Sequence, residues 1–131
     1  MTSQVERRTR VLVADDHAEV TKAICRLLSL ECEVVGTVAD GSAVLEAVQR
    51  LQPDVTVVDL NLPTISGLEA CRQITQENPD AKVIVFTAMN DPVIRQRAFD
   101  MGASAFVCKV ASDGDLLSAV KGVCDGSLNR G

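Results

Sequence analysis

The chain has 131 residues, of which 47 % are apolar, and a formal net charge of -5 at pH 7. This length fits one folded domain. A chain with this negative charge lacks the basic stripe that a nucleic-acid groove normally needs. No run approaches the roughly 18 apolar residues of a membrane span, and five cysteines without a CxxC pair indicate buried thiols in a reducing compartment. We therefore expect a soluble cytoplasmic protein that makes no direct contact with nucleic acid or membrane.

Short apolar runs alternate along the chain with longer segments of helical periodicity, which is typical of βα units on a parallel sheet. With only three aromatic residues, the core must be built from branched aliphatic side chains. The strands are predicted near residues 10-14, 33-38, 55-59, 82-87 and 105-108, and the helices near 17-29, 42-51, 66-77, 92-101 and 114-125. Residues 1-9 and 126-131 are predicted to be terminal tails around a single domain at 10-125.

Local signals support several helix boundaries. Ser66 and Ser112 each precede an acidic residue three positions further on, as in helix caps. Pro92 suits a first helical turn, and Gly102 suits a left-handed helix stop.

Four of the five predicted strands are followed by, or end in, polar side chains of complementary chemistry. Asp15 and Asp16 follow the first strand, Asp59 ends the third, Thr87 ends the fourth and Lys109 follows the fifth. In a doubly wound sheet of the flavodoxin-like order 2-1-3-4-5, functional groups collect at the carboxyl ends of strands 1 and 3. Carboxylates crowded there would repel one another unless a hard cation joined them, and oxygen ligands suit Mg²⁺. A lysine and a hydroxyl can hold phosphoryl oxygens, so the pattern predicts an aspartyl phosphate site.

Each of these residues taken singly admits a simpler interpretation. Asp15 and Asp16 could cap the first helix, and Asp59 could form an Asx turn. Lys109 could be a solvated lysine, and Thr87 a strand-end hydroxyl. Their joint occurrence at one edge of the sheet favours the phosphoacceptor interpretation.

The motifs together resemble the receiver domain of two-component response regulators, over residues 10-125. The matching segments are VLVADD at 11-16, VVDLNLP at 57-63, GLE at 67-69, VFTA at 85-88 and GASAFVCK at 102-109. Each segment is a weak signal singly, but in this order and spacing they are specific.

The resemblance implies a phosphoacceptor with a metal site. Asp59 would take a phosphoryl group from a sensor histidine kinase or a histidine phosphotransfer protein. Asp16, Asp59 and the backbone carbonyl of Asn61 would be direct ligands of Mg²⁺, and Asp15 would act through water.

The resemblance also implies a route for the signal. Lys109 would pair with the phosphoryl group, Thr87 would hydrogen-bond it, and Phe106 would be the aromatic residue whose rotamer reports that bond. The surface of helix 4, strand 5 and helix 5 would then contact a downstream protein or support a phosphorylation-dependent homodimer. Phosphotransfer and dephosphorylation would be self-catalysed, so no enzyme acting on a separate substrate is expected.

Two details refine the resemblance. Val110 stands where the family often has a cis proline, so a trans bond is expected there. The segments ADDH at 14-17 and KVAS at 109-112 are most similar to receivers of LuxR-type transcription regulators. Those regulators normally carry a helix-turn-helix module, so the alternative is the receiver part of such a regulator lacking that module.

Other protein classes fit less well. A haloacid-type phosphatase would need a second aspartate at the position of Asn61, and a flavodoxin-type carrier would need a Ser/Thr-rich phosphate loop at Asp15 and Asp16. The single histidine, His17, is predicted to be a first-turn helix residue without a chemical role, because Mg²⁺ prefers oxygen ligands.

Overall fold

The computed structural model describes residues 8–109 and 113–125. Its centre is one sheet of five parallel strands in the order β2-β1-β3-β4-β5, which confirms the predicted flavodoxin-like architecture. The strands are β1 (Thr9–Ala14), β2 (Cys32–Val38), β3 (Val55–Asp59), β4 (Val83–Thr87) and β5 (Ala105–Cys108). β1 begins at Thr9, inside the segment predicted as a tail, while residues 1–7 and 126–131 lie outside the described ranges.

Helices connect the strands at nearly the predicted positions. They are α1 (Ala18–Leu28), α2 (Val44–Leu51), α3 (Gly67–Glu77), α4 (Pro92–Asp100) and α5 (Asp113–Asp125), with a 3-10 turn (Gly41–Ala43) leading into α2. Ser66 caps α3 by accepting a hydrogen bond from the Glu69 amide, and Pro92 occupies the first turn of α4. The predicted cap at Ser112 and the bond before Val110 fall on residues 110–112, outside the described ranges.

The helices cover both faces of the sheet. On one face Val13 and Val57 pack with α1 and α5, and on the other Ala14 and Val58 pack with α2, α3 and α4. Because side chains alternate along a strand and both faces are buried, the central strands consist almost entirely of apolar residues. The sequence therefore contains pronounced runs of apolar residues at β1, β3 and β4.

The five cysteines differ in exposure. Cys32 and Cys71 are buried as predicted, whereas Cys25 and Cys108 are half-buried. Cys124 is exposed on α5, so the prediction of a buried thiol is wrong there, since apolar helical periodicity did not separate the inner from the outer face. None of the helices in the described ranges is both long and apolar enough to cross a bilayer.

Gly102 ends α4 with φ 105°, and a Cβ there would lie 2.6 to 2.8 Å from side-chain atoms of Thr75. We expect Gly102→Ala to lower the free energy of unfolding by about 1 to 2 kcal/mol, because an L side chain is strained at positive φ. Gly36→Ala is the matched control, since its Cβ would also make a close contact, 2.8 Å from Cδ1 of Leu51, but without a positive φ. Urea denaturation measures the free energy of unfolding of both variants. Equal losses would show that the positive φ of Gly102 is not the cause.

Candidate phosphoacceptor site

An ion pair network joins three strands at the carboxyl edge of the sheet. The Nζ of Lys109, just after β5, lies 2.9 Å from Oδ2 of Asp15 and 3.1 Å from Oδ2 of Asp59. The two carboxylate side chains are only 1 % and 4 % exposed. The Nζ of Lys109 also lies 5.5 Å from the ring centroid of Phe86, on the intervening strand β4. The lysine therefore spans from β5 to β1 and neutralises charge that burial would otherwise penalise.

The protonation of Lys109 follows from these contacts. Burial alone would lower the pKa of Lys109, but its hydrogen bonds and charge interactions with Asp15 and Asp59 raise the pKa above its ordinary value. Its ammonium group is therefore charged at neutral pH.

The carboxylates form a compact cluster with one imidazole. Asp15, Asp16, His17 and Asp59 each offer an atom that could bind a metal, and these atoms lie within 4.8 Å of one another. Asp15 and Asp59 are buried, whereas Asp16 is exposed and opens the cluster to solvent. Lys109 is paired with two of the three carboxylates, Asp15 and Asp59, so the donor oxygens and the remaining negative charge fit a hard divalent cation.

His17 also lies at this cluster, where its position next to Asp16 in the chain places it. Its Nδ1 is 3.1 Å from Oδ1 of Asp16 and 3.3 Å from Oδ1 of Asp15. The ring is 64 % exposed, so it lies at the edge of the cluster.

The backbone fixes the position of Asp15. Its Oδ1 accepts a hydrogen bond from the His17 amide at 2.8 Å, and its own amide donates to the Val38 carbonyl at the end of β2. The side chain therefore orders the turn that leads into α1 and also pairs with Lys109. The N-cap of α1 is His17, so the interpretation of Asp15 and Asp16 as helix caps is wrong.

Asp59 is held in a similar way by the start of the β3–α3 loop. The Asn61 amide donates to Oδ1 of Asp59 at 3.2 Å, which is the contact of an Asx turn. The Gly67 amide donates to the Leu60 carbonyl, and a Cβ on Gly67 would overlap the carbonyl of Asp59. Helix α3 therefore begins in direct backbone contact with Asp59, which only a glycine permits.

Thr87 and Phe106 occupy different positions on neighbouring strands. Thr87 is fully buried, and its hydroxyl accepts a hydrogen bond from the Met89 amide at 3.1 Å. Its carbonyl accepts from the Lys109 amide at 2.6 Å, which ties it to the ion pair network. Phe106 is half-buried and, together with Arg95 of α4 and Ser118 of α5, lines a surface cleft of about 400 Å³. The structure thus places Thr87 at the edge of the site. Phe106 lies on the surface formed by α4, β5 and α5, which we call the lateral face.

Comparison with known proteins is consistent with this geometry. Residues 11–121 match the response regulator receiver domain family. The chain is 34 % identical over 129 residues to the transcriptional regulatory protein DegU of Brevibacillus brevis. The aligned region covers 96 % of this chain and 55 % of DegU. The chain therefore belongs to the response regulator receiver family.

Solved structures agree on the fold and on the LuxR-type resemblance. The receiver domain of the response regulator NarL from Mycobacterium tuberculosis superposes with a TM-score of 0.88 at 29 % identity, covering 92 % of this chain and 99 % of that one. A LuxR-family response regulator from Aurantimonas sp. SI85-9A1 also gives 0.88 at 30 % identity, covering 91 % and 86 %. The chain spans about half the length of DegU.

The stability of a variant without Lys109 should show how much the lysine stabilises the two buried carboxylates. We expect Lys109→Met to cost about 3 kcal/mol of stability at pH 7, because two buried carboxylates lose their cation. Since the pKa of Lys109 is raised, this contribution is present below the ordinary pKa of 10.5 and is lost as pH rises through the folded-state value.

Lys121→Met is the control, because Lys121 pairs with Glu31 on the surface, where an ion pair contributes less than about 1 kcal/mol. Chemical denaturation from pH 7 to 11 measures both variants. Equal losses at pH 7, or a loss for Lys109→Met that does not begin to decrease above pH 10.5, would contradict the role of Lys109.

Proposed function

We propose that this chain accepts a phosphoryl group on Asp59 from the phosphohistidine of a sensor histidine kinase or a histidine phosphotransfer protein. The bond between phosphorus and the imidazole nitrogen breaks as a bond between phosphorus and an Asp59 carboxylate oxygen forms. The observation that carries the proposal is the contact of the Lys109 ammonium with both Asp59 and Asp15. Phosphoryl transfer depends mainly on positioning and charge neutralisation, and this contact supplies both.

Different residues at the site supply positioning and charge neutralisation. The Asn61 amide holds Oδ1 of Asp59 and so orients the carboxylate. Lys109 contacts Oδ2 of the same group and can transfer its hydrogen bonds to the oxygens of an arriving phosphoryl group. Burial keeps water away from Asp59 and strengthens these electrostatic contacts.

The proposed ligands of Mg²⁺ are Asp16, Asp59 and the Asn61 carbonyl, and the ion when bound would supply positive charge to the site. Asp15 is proposed to act through water. This assignment is supported by its present contacts, since Oδ1 accepts from the His17 amide and Oδ2 from Lys109. Asp16 is exposed and therefore accessible to an incoming ion.

The signal is proposed to leave through the lateral face. Thr87 would exchange its Met89 contact for the phosphoryl group, and Phe106 would turn toward the space released. The cleft beside Phe106, lined by Arg95 and Ser118, belongs to the surface of α4, β5 and α5 that a downstream protein or a second phosphorylated copy would contact. We assign the whole of residues 10-125 to this receiver unit.

A second candidate is favoured by the comparison with DegU. Since the chain spans 55 % of that relative, it fits the receiver part of a LuxR-type DNA-binding transcription regulator lacking its helix-turn-helix module. The mass of the native protein in its source cells distinguishes the candidates: about the mass of 131 residues supports a stand-alone receiver, and about twice that mass supports the regulator.

Phosphorylation of Asp59 tests the proposed function directly. With acetyl phosphate and Mg²⁺, we expect intact-mass spectrometry to show one added phosphoryl group, because the site neutralises the charge of the donor. Asp59→Asn and added chelator should each abolish the gain, and Asp54→Asn, at the opposite end of the sheet, should not. A phosphoryl gain in Asp59→Asn would show that the site is elsewhere.

Thr87→Ala tests the proposed relay. We expect the variant to be phosphorylated on Asp59 nearly as fast as the wild type, while losing the response of residues 92–109 to beryllofluoride in amide NMR spectra. The physical reason is that the Thr87 hydroxyl can follow charge added at Asp59, through a coupling of about 1 to 3 kcal/mol.

Thr56→Ala is the control, because Thr56 is equally buried in β3 but pairs near the other end of β4. It should keep the wild-type response. A wild-type response in Thr87→Ala would exclude the hydroxyl as the relay.

A further inference from the structure

A strained turn lies in the loop that follows Asp59. The Ile65 amide donates to the Pro63 carbonyl at 2.8 Å, which closes a three-residue turn around Thr64. Thr64 has φ 66°, in the left-handed region that β-branched residues rarely adopt. Such strain persists only when the surrounding structure holds it in place, and it concentrates at functional sites.

The carboxylate of Asp40, in the β2–α2 loop, supplies that restraint. Its Oδ1 accepts hydrogen bonds from the Thr64 hydroxyl, from the Ser42 amide at 2.8 Å and from the Ser42 hydroxyl at 2.7 Å. The Ser42 amide also donates to the Thr64 hydroxyl at 3.1 Å. The hydrogen bonds from Thr64 and Ser42 lower the pKa of Asp40, so the group is an ionised acceptor at neutral pH.

The backbones of the two loops also meet directly. The Gly41 amide donates to the Pro63 carbonyl at 3.0 Å, and a Cβ on Gly41 would overlap the carbonyl of Ile65. We call this set of contacts, made by Asp40, Gly41 and Ser42 with residues 63–65, the loop clasp.

The clasped segment is continuous with the phosphoacceptor. Asn61, two residues before Pro63, donates its amide to Asp59, and Gly67 anchors the far end of the loop against Leu60. Between these anchors, the clasp holds the middle of the loop. A relaxation of Thr64 to negative φ would rotate the chain between Leu62 and Ile65 and so displace Asn61.

We propose that Asp40 is a positioning residue for phosphoryl acceptance: acting through Thr64, it holds the β3–α3 loop so that the backbone of Asn61 stays against Asp59. This inference rests on the proposed function. The β2–α2 loop would then help to position the site, although it supplies none of the proposed metal ligands.

The chain offers a discriminating set of variants. Thr64→Ala removes the hydroxyl and keeps the strain of a side chain at positive φ, whereas Thr64→Gly removes the hydroxyl and the strain together. Asp40→Ala and Thr64→Ala should therefore slow phosphorylation of Asp59 by acetyl phosphate about tenfold or more, as misplaced reacting groups do. Thr64→Gly should stay within about threefold of wild type, and Asp40→Ala should add little in the Thr64→Gly background.

Two further measurements separate positioning from stability. In metal-free amide NMR spectra, Asp40→Ala and Thr64→Ala should shift the signals of Leu60 and Asn61, and Thr64→Gly should shift them less. Asp54→Ala is the control, because it also removes a carboxylate that accepts a backbone amide, from Arg10 at the opposite edge of the sheet. It should lower the melting temperature without slowing phosphorylation.

The outcomes distinguish the two proposals. A wild-type protein that gains no phosphoryl group overturns the proposed function and this inference with it. If the wild type is phosphorylated and Asp40→Ala reacts at the same rate, or if Thr64→Ala and Thr64→Gly behave alike, the positioning role is overturned and the proposed function stands.

Discussion

The contact between Lys109 and two buried carboxylates is the interaction on which the carboxyl edge of the sheet depends. Asp15 and Asp59 lie on adjacent strands at 1 % and 4 % side-chain exposure, where like charges repel strongly and hydration is lost. A lysine placed after β5 must cross β4 to reach them, and the ring of Phe86 lies along its path. The ion pair network therefore depends on the parallel arrangement of the strands, which brings the carboxyl ends of β1, β3 and β5 to one edge of the sheet.

The site is held from opposite sides by different kinds of contact. On the β5 side, a flexible lysine supplies charge and can move with a change in the charge of Asp59. On the α2 and α3 side, the loop clasp and the close approach of Gly67 supply fixed backbone positions. Both arrangements cost stability in isolation, since one buries charge and the other keeps Thr64 at positive φ. Local strain of this kind is common where a protein must hold reacting groups in place.

Much of the fold and part of the site follow from the sequence for identifiable physical reasons. Strands buried on both faces give apolar runs, so β3 was predicted to the residue, and polar groups at strand ends located Asp15, Asp59, Thr87 and Lys109. The loop clasp could not be predicted, because a threonine gives no signal of positive φ, and the partner of Thr64 lies 24 residues earlier in the chain.

The contacts of the carboxylates indicate how a change at Asp59 can spread. Both oxygens of Asp59 already have donors, the Asn61 amide on Oδ1 and the Lys109 ammonium on Oδ2, so a group added to either oxygen is next to one of them. The Asn61 amide is held by a loop restrained at three points, whereas the lysine side chain has several rotatable bonds, so the lysine is the partner with more freedom to move. A hydrogen bond of 2.6 Å from the Lys109 amide to the Thr87 carbonyl connects the end of β5 to the end of β4. The ion pair of Lys109 with Asp59 and this hydrogen bond therefore form a continuous series of contacts from Asp59 to the ends of both strands.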